Sequence, residues 1–372
     1  MKIVVLGTAY PYRGGLAAFN ERLAREFQAE GEQVEIITFT LQYPDFLFPG
    51  KTQYSDEPAP DDLQIKRMMN SVNLFSWVRT GRYIRSLNAD LLVIKFWIPL
   101  MAPCLGSIAR IVKRGGKTKV VSVLDNVIPH EKRPLDKLLV RYFIGSVDRF
   151  VAMSASVMAD LRMFTSLKPA VLSPHPLYDN FGSLQSKTQA KQKLGIDTTQ
   201  LVLLFFGFIR DYKGLDLLMQ AYADKRIDKE RIRLVVAGEF YNNKDKYLEL
   251  EKQLSLTGKI DWRSNFIADS EVATYFSAAD LIVQPYRSAT QSGVTQIAYH
   301  FLKPMLVTDV GGLSEMVPNG KVGYVTKVEA SSIADAIIDF TNKNDPDCFI
   351  EAIKKERKKY AWSTMTKAIK AE

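Results

Sequence analysis

Residues 279–312 read ADLIVQPYRSATQSGVTQIAYHFLKPMLVTDVGG and hold a strand, a helix and a second strand in order. The runs at 279–286 and 304–312 are apolar without alternation, which is typical of parallel strands covered on both faces. The stretch between them has helical apolar spacing. A helix joining two parallel strands is the repeating unit of doubly wound α/β folds.

The same unit recurs along most of the chain. The strands predicted in the first half are KIVVLG, QVEIITF, DLLVIKF, KVVSVL and RFVAMS. Those predicted in the second half are LVLLFFG, RIRLVVAG, GKIDW, DLIVQPY, PMLVTDV and VGYV. Residues 173–200 interrupt the pattern with Pro, Gly, Ser and Gln and predict a linker region. The 372 residues therefore predict two α/β domains with doubly wound parallel sheets, 1–185 and 190–354.

Composition narrows the class of protein. Apolar residues make up 47% of the chain, as in ordinary globular proteins. Cys104 and Cys348 lie far apart and form no disulfide or zinc pattern, which favours a reducing, cytoplasmic compartment. The chain enters a strand at KIVVLG, so a secretory signal is not expected. The net charge of +9 favours anionic partners, but no aromatic-rich RNA-binding signature accompanies it, so nucleic acid is not expected.

Residues 96–109, FWIPLMAPCLGSIA, form the most apolar stretch, and the basic run 110–119 follows. A membrane span needs roughly 20 apolar residues, so this stretch does not span a bilayer. It is either a buried helix or a hydrophobic surface patch beside a basic cluster. The second alternative predicts peripheral membrane contact through 96–119, at the inner membrane face.

Ligands of open α/β sheets bind beyond the C-terminal ends of the strands, so residues that directly follow strands are the candidates for a site. FFGFIRDYKG follows the first strand of the second half. There Gly207 permits close approach, and Arg210 and Lys213 can converge on one anion. The alternative is an exposed charged loop.

The helix of the opening stretch begins in a small polar turn. Its backbone N–H groups could hold a phosphate, because a helix N-terminus favours negative charge. Glu315, which follows a Gly-Gly pair on the next strand, could serve a ligand hydroxyl or cap a helix. The residues of the turn that could contribute are Thr290, Gln291, Ser292, Gly293 and Val294.

Two segments of the first half occupy equivalent positions. Gly14 and Gly15 precede a helix after the first strand and form either a plain turn or a close approach to a ligand. Asp125 and His130 follow the strand KVVSV. His130 could contact a sugar or be an ordinary loop histidine.

The motifs together resemble the GT-B glycosyltransferases, specifically the retaining family four. They are the glycine pair after the first strand, FFGFIRDYKGLDLLMQAY, VVAGEF, ADLIVQPY and KPMLVTDVGGLSEMVPNGKVGYV. The resemblance implies two Rossmann-like domains facing across a cleft. The first, 1–185, is the acceptor side, and the second, 190–354, binds a nucleotide-diphosphate sugar. It also implies transfer with retention, without a cofactor or a metal.

The resemblance also implies roles for particular residues. Arg210 and Lys213 match the pair that grips the diphosphate, and Gly14 and Gly15 match the glycine loop of the first domain. The segment 265–272 matches the part that cradles the nucleobase, and the helix at about 355–372 resembles one that packs back on the first domain. Further binding residues by the same resemblance are Gly207, Glu239, Phe266 and Ile267.

The sequence departs from the family in the opening stretch. The family commonly has two glutamates separated by seven residues, for the sugar and the ribose, and Ala289 and Ile297 occupy these places. Thr290 or Gln291 could replace the sugar contact. Asp125 stands where a histidine is common. We interpret this as a variant site.

The expected function is transfer of a sugar to a hydroxyl of a glycan or lipid-linked acceptor, in surface polysaccharide or glycolipid assembly. Arg210, Lys213, Asp125 and His130 are the expected catalytic residues. Two alternatives remain at this point. One is a catalytically silent nucleotide-sugar-binding protein, and the other is a nucleotide-sugar epimerase.

Overall fold

The computed structural model describes residues 1–44, 52–128, 134–241, 244–289, 292–343 and 348–371. The chain forms two compact units. Unit 1 contains Met1–Pro176 and Tyr360–Glu372, and unit 2 contains Leu177–Lys359. Each has one parallel sheet with helices between its strands, so the predicted α/β fold class is confirmed. No helix in the described ranges is long and apolar enough to cross a bilayer.

Unit 1 has a sheet of seven strands in the order β3-β2-β1-β4-β5-β6-β7. Strand β1 pairs with β2 and β4, and its Val4 lies opposite Glu35 and Leu92. The elements are β1 (Lys2–Leu6), α1 (Gly15–Ala29), β2 (Gln33–Leu41), β3 (Ile65–Asn70), α2 (Leu74–Ser86), β4 (Leu91–Phe96), a 3-10 helix (Pro99–Met101), α3 (Ala102–Lys113), β5 (Lys119–Leu124), α4 (Asp136–Ile144), β6 (Arg149–Ala152), α5 (Ala155–Arg162) and β7 (Ala170–Leu172).

Unit 2 has a sheet of six strands in the order β10-β9-β8-β11-β12-β13. Its elements are α6 (Lys187–Lys193), β8 (Leu201–Phe206), a 3-10 helix (Asp211–Lys213), α7 (Leu215–Tyr222), β9 (Ile232–Ala237), α8 (Lys244–Gln253), β10 (Ile260–Arg263), α9 (Asp269–Ala278), β11 (Leu281–Gln284), α10 (Gly293–His300), β12 (Met305–Thr308), α11 (Gly312–Met316), β13 (Gly323–Thr326), α12 (Ala330–Thr341) and α13 (Ile350–Glu356). A 3-10 helix (Arg357–Tyr360) leads back to unit 1, where α14 (Trp362–Lys370) lies.

Two strands of unit 1, β3 and β7, were not predicted. Both are edge strands of the sheet. β3 carries Lys66 and Arg67 on exposed positions, and β7 is three residues long. An edge strand is covered on fewer sides than a central one, so it needs no continuous apolar run and leaves a weaker signal in the sequence.

The apolar stretch 96–109 is part of the core of unit 1. It ends β4 and begins α3, and its side chains at Met101, Leu105 and Ile108 are buried. Of the two alternatives for this stretch, the structure has the buried helix. Most of its side chains therefore lie in the core, whereas Leu100 is 41% exposed, and the peripheral membrane contact through 96–119 stays a prediction.

The chain passes from unit 1 to unit 2 earlier than predicted. Residues 177–185 belong to unit 2, because they are bonded to its helices. The backbone N–H of Gln185 donates to Ser277 Oγ at 2.9 Å, and His300 Nε2 lies 2.6 Å from the carbonyl oxygen of Gly182. The first compact unit therefore ends at Pro176 rather than at 185.

The last helix, α14, packs on α1 of unit 1. The buried ring of Trp362 lies 5.2 Å from that of Phe19, measured between centroids. Thr366 Oγ1 donates to the carboxylate of Glu30, and Arg149 donates to the carbonyl oxygen of Ile369. The helix α14 thus packs on unit 1 through an apolar face, with polar contacts at the margins of that face.

We expect Trp362→Ala to lower the free energy of unfolding by about 3–5 kcal/mol, because it removes a large buried ring that its neighbours cannot replace. Lys367→Ala, on the exposed side of the same helix, is the control and should change it by less than about 0.5 kcal/mol. Denaturant unfolding measures both. Equal effects of the two variants would show that α14 contributes no buried packing.

Candidate active site

The predicted binding segments of unit 2 lie along one edge of its sheet. Each follows the C-terminal end of a different strand, and these strands are neighbours in the order β10-β9-β8-β11-β12. In that order, the segments hold Phe266 and Ile267, then Glu239, then Gly207 to Lys213, then Ser292 to Val294, then Glu315. This edge is where open α/β sheets bind their ligands.

The turn after β8 is fixed by close backbone approaches. A Cβ atom on Gly238 would lie 2.2 Å from the carbonyl oxygen of Gly207, and one on Gly214 would lie 2.0 Å from that of Pro285. Gly214 also has a φ of +65°, which favours glycine. The chain between these contacts, which carries both candidate cations, therefore has one path across the sheet edge.

Lys213 points back over the end of β8. A Cβ atom placed on Gly207 would lie 3.0 Å from Lys213 Nζ and 4.0 Å from Val294 Cγ2. The ammonium group and the start of α10 are thus close together. Burial of this group, and secondarily the charge of Arg210, lower the pKa of Lys213 to about 8. An anionic ligand at this point would supply the missing opposite charge.

Arg210 stands on the same turn. The backbone N–H of Lys213 donates to the carbonyl oxygen of Arg210 at 2.9 Å. The Arg210 guanidinium carbon lies 3.8 Å from the ring centroid of Tyr241, which orients the flat group by cation–π contact. Two cations on one turn at a strand end form an arrangement suited to a diphosphate.

The start of α10 faces this turn. Ser292 has an extended backbone and directly precedes the helix, which begins at Gly293. A Cβ on Gly293 would lie 2.7 Å from Cε2 of Tyr178, so the connector ring packs where a side chain would otherwise be. The first N–H groups of a helix have no partner within it and can bind an anion. Thr290 and Gln291 lie outside the described residues.

A buried polar layer beneath α10 was missed in the sequence. Gln284, the last residue of β11, accepts a hydrogen bond from Thr295 Oγ1 at 3.1 Å. Tyr286 Oη lies 3.5 Å from Ser292 Oγ, and its ring centroid is 5.6 Å from Lys213 Nζ. Gln284 and Tyr286 directly end the run ADLIVQPY, so their position after a strand was an available signal.

Aromatic rings line the β10 side of the edge. The ring of Phe266 lies 6.4 Å from that of Phe208, and the ring of Phe240 lies 5.7 Å from that of Trp262. Ile267 and Glu239 are buried, whereas Glu315, on α11, is exposed. The first two sit on the side predicted for the nucleobase, and Glu315 lies at the other end of the predicted site.

In unit 1, Asp125 follows β5 as predicted, and it has a partner that was not predicted. Lys95, in the middle of the sheet on β4, is 2% exposed, and its Nζ lies 2.9 Å from Asp125 Oδ1. The same ammonium is 3.3 Å from the ring centroid of Phe19 on α1, the helix that begins at Gly15 beside Gly14. A lysine within the apolar run DLLVIKF was a signal for a buried charge, but not for its partner.

Burial dominates the electrostatics of this cluster. It lowers the pKa of Lys95, although Asp125 acts in the opposite direction. It also lowers the pKa of His175 to about 3, with Lys95 contributing, so that this imidazole is neutral at pH 7. The ring of His175 lies 5.3 Å from that of Phe19. His130 lies outside the described residues, and its predicted role stays a prediction.

A metal site was not predicted. In the part of the chain that the structure describes, no group of three or more His, Cys, Asp or Glu side chains could hold a metal ion. Arg210 and Lys213 are side-chain cations at the edge of unit 2, and Arg287 and Lys246 lie there in ion pairs with Asp216 and Asp211.

Comparison with known proteins agrees with this architecture. A family profile described as Glycosyl transferases group 1 matches residues 186–359, and one described as Glycosyltransferase Family 4 matches residues 13–174. The structure of Anabaena Alr3699/HepE in complex with UDP and glucose superimposes with a TM-score of 0.74, at 16% identity, over 99% of this chain and 98% of that one.

Two bacterial relatives match nearly the whole chain. The N-acetyl-alpha-D-glucosaminyl L-malate synthase of Bacillus anthracis is 24% identical over 91% of this chain and 87% of its own length. The putative teichuronic acid biosynthesis glycosyltransferase TuaC of Bacillus subtilis is 22% identical over 91% of this chain and 88% of its own length. The two units have the GT-B glycosyltransferase fold. The chain belongs to glycosyltransferase family 4.

The pKa of Lys213 makes nucleotide binding depend on pH. Since this pKa is about 8, the side chain is charged below pH 8 and neutral above it. We expect the affinity for a nucleoside diphosphate to fall about eightfold from about pH 7.5 to about pH 9.0, because the charged fraction of Lys213 falls by that factor. Lys213→Arg keeps its charge over this range and should flatten the profile. Titration calorimetry measures both, and an unchanged profile in Lys213→Arg would assign the pH dependence to another group.

Proposed function

We propose that this chain is a retaining, metal-independent hexosyltransferase. It moves a sugar from a nucleotide-diphosphate sugar to a hydroxyl of a glycan or lipid-linked acceptor, in surface polysaccharide or glycolipid assembly. The observation that carries the proposal is the meeting of Lys213, Gly207 and Val294 at the end of β8, with Arg210 on the same turn. Cations and helix N–H groups there suit a diphosphate.

The way the donor would bind is proposed from the same edge of the unit 2 sheet. The diphosphate would lie between Arg210, Lys213 and the start of α10, and the base would lie toward Phe266 and Ile267. The Anabaena protein is described in complex with UDP and with UDP-glucose, which supports a uridine nucleotide here. The names of the two bacterial relatives, which refer to a glucosaminyl group and to teichuronic acid, support a hexosyl group and a bacterial surface polymer.

In the proposed reaction the bond between the anomeric carbon and the leaving phosphate oxygen breaks, and the electron pair goes to the diphosphate. Arg210, Lys213 and the N–H groups of α10 stabilise the charge that develops there. The acceptor hydroxyl forms the new bond on the same face, and its proton passes to an oxygen of the leaving phosphate. No protein nucleophile enters this scheme.

Asp125 would position the sugar or the acceptor hydroxyl. Its ion pair with the buried Lys95 keeps one carboxylate oxygen occupied and fixes the direction of the other. His130 would act beside it. Asp125 would then serve as an acceptor of hydrogen bonds from hydroxyl groups.

The proposed compartment is the cytoplasm. Cys104 is buried and Cys348 is exposed, and both are free thiols. A free, exposed thiol suits a reducing compartment, where nucleotide sugars can be supplied to the protein.

A silent nucleotide-sugar-binding protein is the second candidate. Ala289 and Ile297 stand where the family commonly has its two glutamates, and both are buried. Neither side chain can accept a hydrogen bond from the sugar or the ribose. This candidate binds the nucleotide sugar but does not release the nucleotide from it.

Turnover separates the two candidates. With a panel of UDP-, GDP- and ADP-sugars and mixed glycan acceptors, nucleotide release should be detected for one donor class, and Arg210→Ala should reduce kcat/KM by about 100-fold or more. Arg226→Ala, which removes an exposed arginine paired with Asp224 and Asp335, is the matched control and should retain activity. Donor binding without turnover in the wild type would support the silent protein instead.

The same reaction mixture tests the two finer claims. The product should keep the anomeric configuration of the donor, as measured by proton NMR. Activity should survive an excess of EDTA, because the proposed cations are side chains. An inverted product, or activity that EDTA abolishes and a divalent ion restores, would contradict the respective claim.

A further inference from the structure

A group of exposed apolar side chains lies in unit 1, outside the site described above. Within the described residues, eight of the fifteen exposed large hydrophobic side chains belong to it. Phe75 is 88% exposed, Leu135 69% and Leu74 67%. We call this group the helix-start patch, and its members are Val72, Leu74, Phe75, Val78, Leu100, Leu135, Leu138 and Tyr142.

These residues come from neighbouring helices. α2 packs along α3, where a Cβ on Gly81 would lie 2.8 Å from Ile111, and α3 packs along α4, where Tyr142 Oη lies 2.7 Å from Ser107 Oγ. Leu100 is in the 3-10 helix that leads into α3 and packs against α4. Because the strands are parallel, these helices all begin at the same edge of the sheet. The patch therefore gathers the starts of α2, α3 and α4.

Basic side chains lie on the same helices as the patch. Arg79 and Arg82 are exposed and follow Phe75 and Val78 along α2. On α4, Lys137 and Arg141 are exposed beside Leu138.

The spacing of the two kinds of residue along α2 matches the layers of a membrane surface. Arg79 and Arg82 lie about 6 Å and 10 Å beyond Phe75 along the helix. Apolar groups of surface-bound proteins reach about 5–10 Å into the boundary between headgroups and acyl chains. Phe75 and Leu74 can therefore enter the acyl region while the arginines remain level with lipid phosphates.

The other candidates for an occupant fit less well. A second copy of this chain would bring the same positive surface against the patch, and like charges facing each other oppose association. Nucleic acid would pair with the cations but leave exposed apolar tips such as Phe75 in water. An anionic bilayer satisfies both the apolar tips and the cations.

We infer that the helix-start patch docks unit 1 on an anionic lipid bilayer, without spanning it. One consequence of the inference rests on the proposed function, namely that the acceptor of the sugar is held at the same membrane. The docking itself depends on unit 1 alone.

The test is flotation of the full chain with vesicles of phosphatidylcholine, with or without about 30% phosphatidylglycerol, in the absence of nucleotide. Binding to the anionic vesicles should be about tenfold stronger and should weaken when salt rises to about 0.5 M. Phe75→Asp combined with Leu138→Asp should reduce it by about tenfold or more. Leu167→Asp is the control, because Leu167 is 94% exposed in the same unit but outside the patch.

A second pair of variants tests the charge. Arg79→Glu combined with Arg82→Glu should abolish the preference for anionic vesicles. Lys225→Glu combined with Lys321→Glu, at exposed positions of unit 2, makes the same change in net charge and should preserve it. Wild-type protein that binds neither vesicle, or an equal loss in patch and control variants, would overturn the inference. So would a concentration-dependent dimer that Phe75→Asp dissociates while vesicle binding is absent.

Nucleotide binding is measured separately, by calorimetry without vesicles. The patch variants should bind nucleotide like the wild type, which also verifies that they are folded. Vesicle binding without nucleotide binding would contradict the proposed function but support the inference. Nucleotide binding without vesicle binding would contradict the inference but leave the proposed function supported.

Discussion

The candidate site depends on how closely the backbone turns of unit 2 approach one another at the end of its sheet. Gly238 lies against the carbonyl oxygen of Gly207, and Gly214 lies against that of Pro285, at distances no side chain would permit. These contacts leave one path for the chain between β8 and α7. They place two cations and the start of α10 around one small space. The lowered pKa of Lys213 is the electrostatic consequence, because the ammonium group is buried there and has the cation of Arg210 beside it.

Unit 1 is organised around a different constraint, a charge inside the sheet. Lys95 is buried beside Asp125 and under the ring of Phe19. Removing either charge would leave the other buried without its partner, which costs several kcal/mol, so the two are retained together. Phe19 also contacts His175 and Trp362, and each of these lies close to a point where the chain passes between the units, at 176/177 and 359/360. One ring on α1 thus connects the buried ion pair with both ends of the inserted unit 2.

The sequence was sufficient for the fold class because central parallel strands need continuous apolar runs, and strands such as β8 and β12 of unit 2 have them. It was insufficient for β3 and β7, whose edge positions relax that need. Among the site residues, Arg210 and Lys213 could be predicted from their place directly after a strand. The ion pair of Lys95 with Asp125 could not, because it joins side chains thirty residues apart whose meeting depends on strand order. The helix-start patch could not be predicted either, because its exposure depends on which helix faces the fold covers. The most apolar stretch of the sequence, 96–109, lies mostly in the core.

The central claim is that the turn after β8 and the start of α10 hold a diphosphate. Calorimetric titration with UDP, GDP and ADP, without added metal, tests it most directly when repeated with Arg210→Ala. Binding of one nucleotide in preference to the others, lost in Arg210→Ala and kept in Arg226→Ala, is the predicted result. Absence of binding to all three nucleotides, or equal binding by wild type and Arg210→Ala, would contradict the claim.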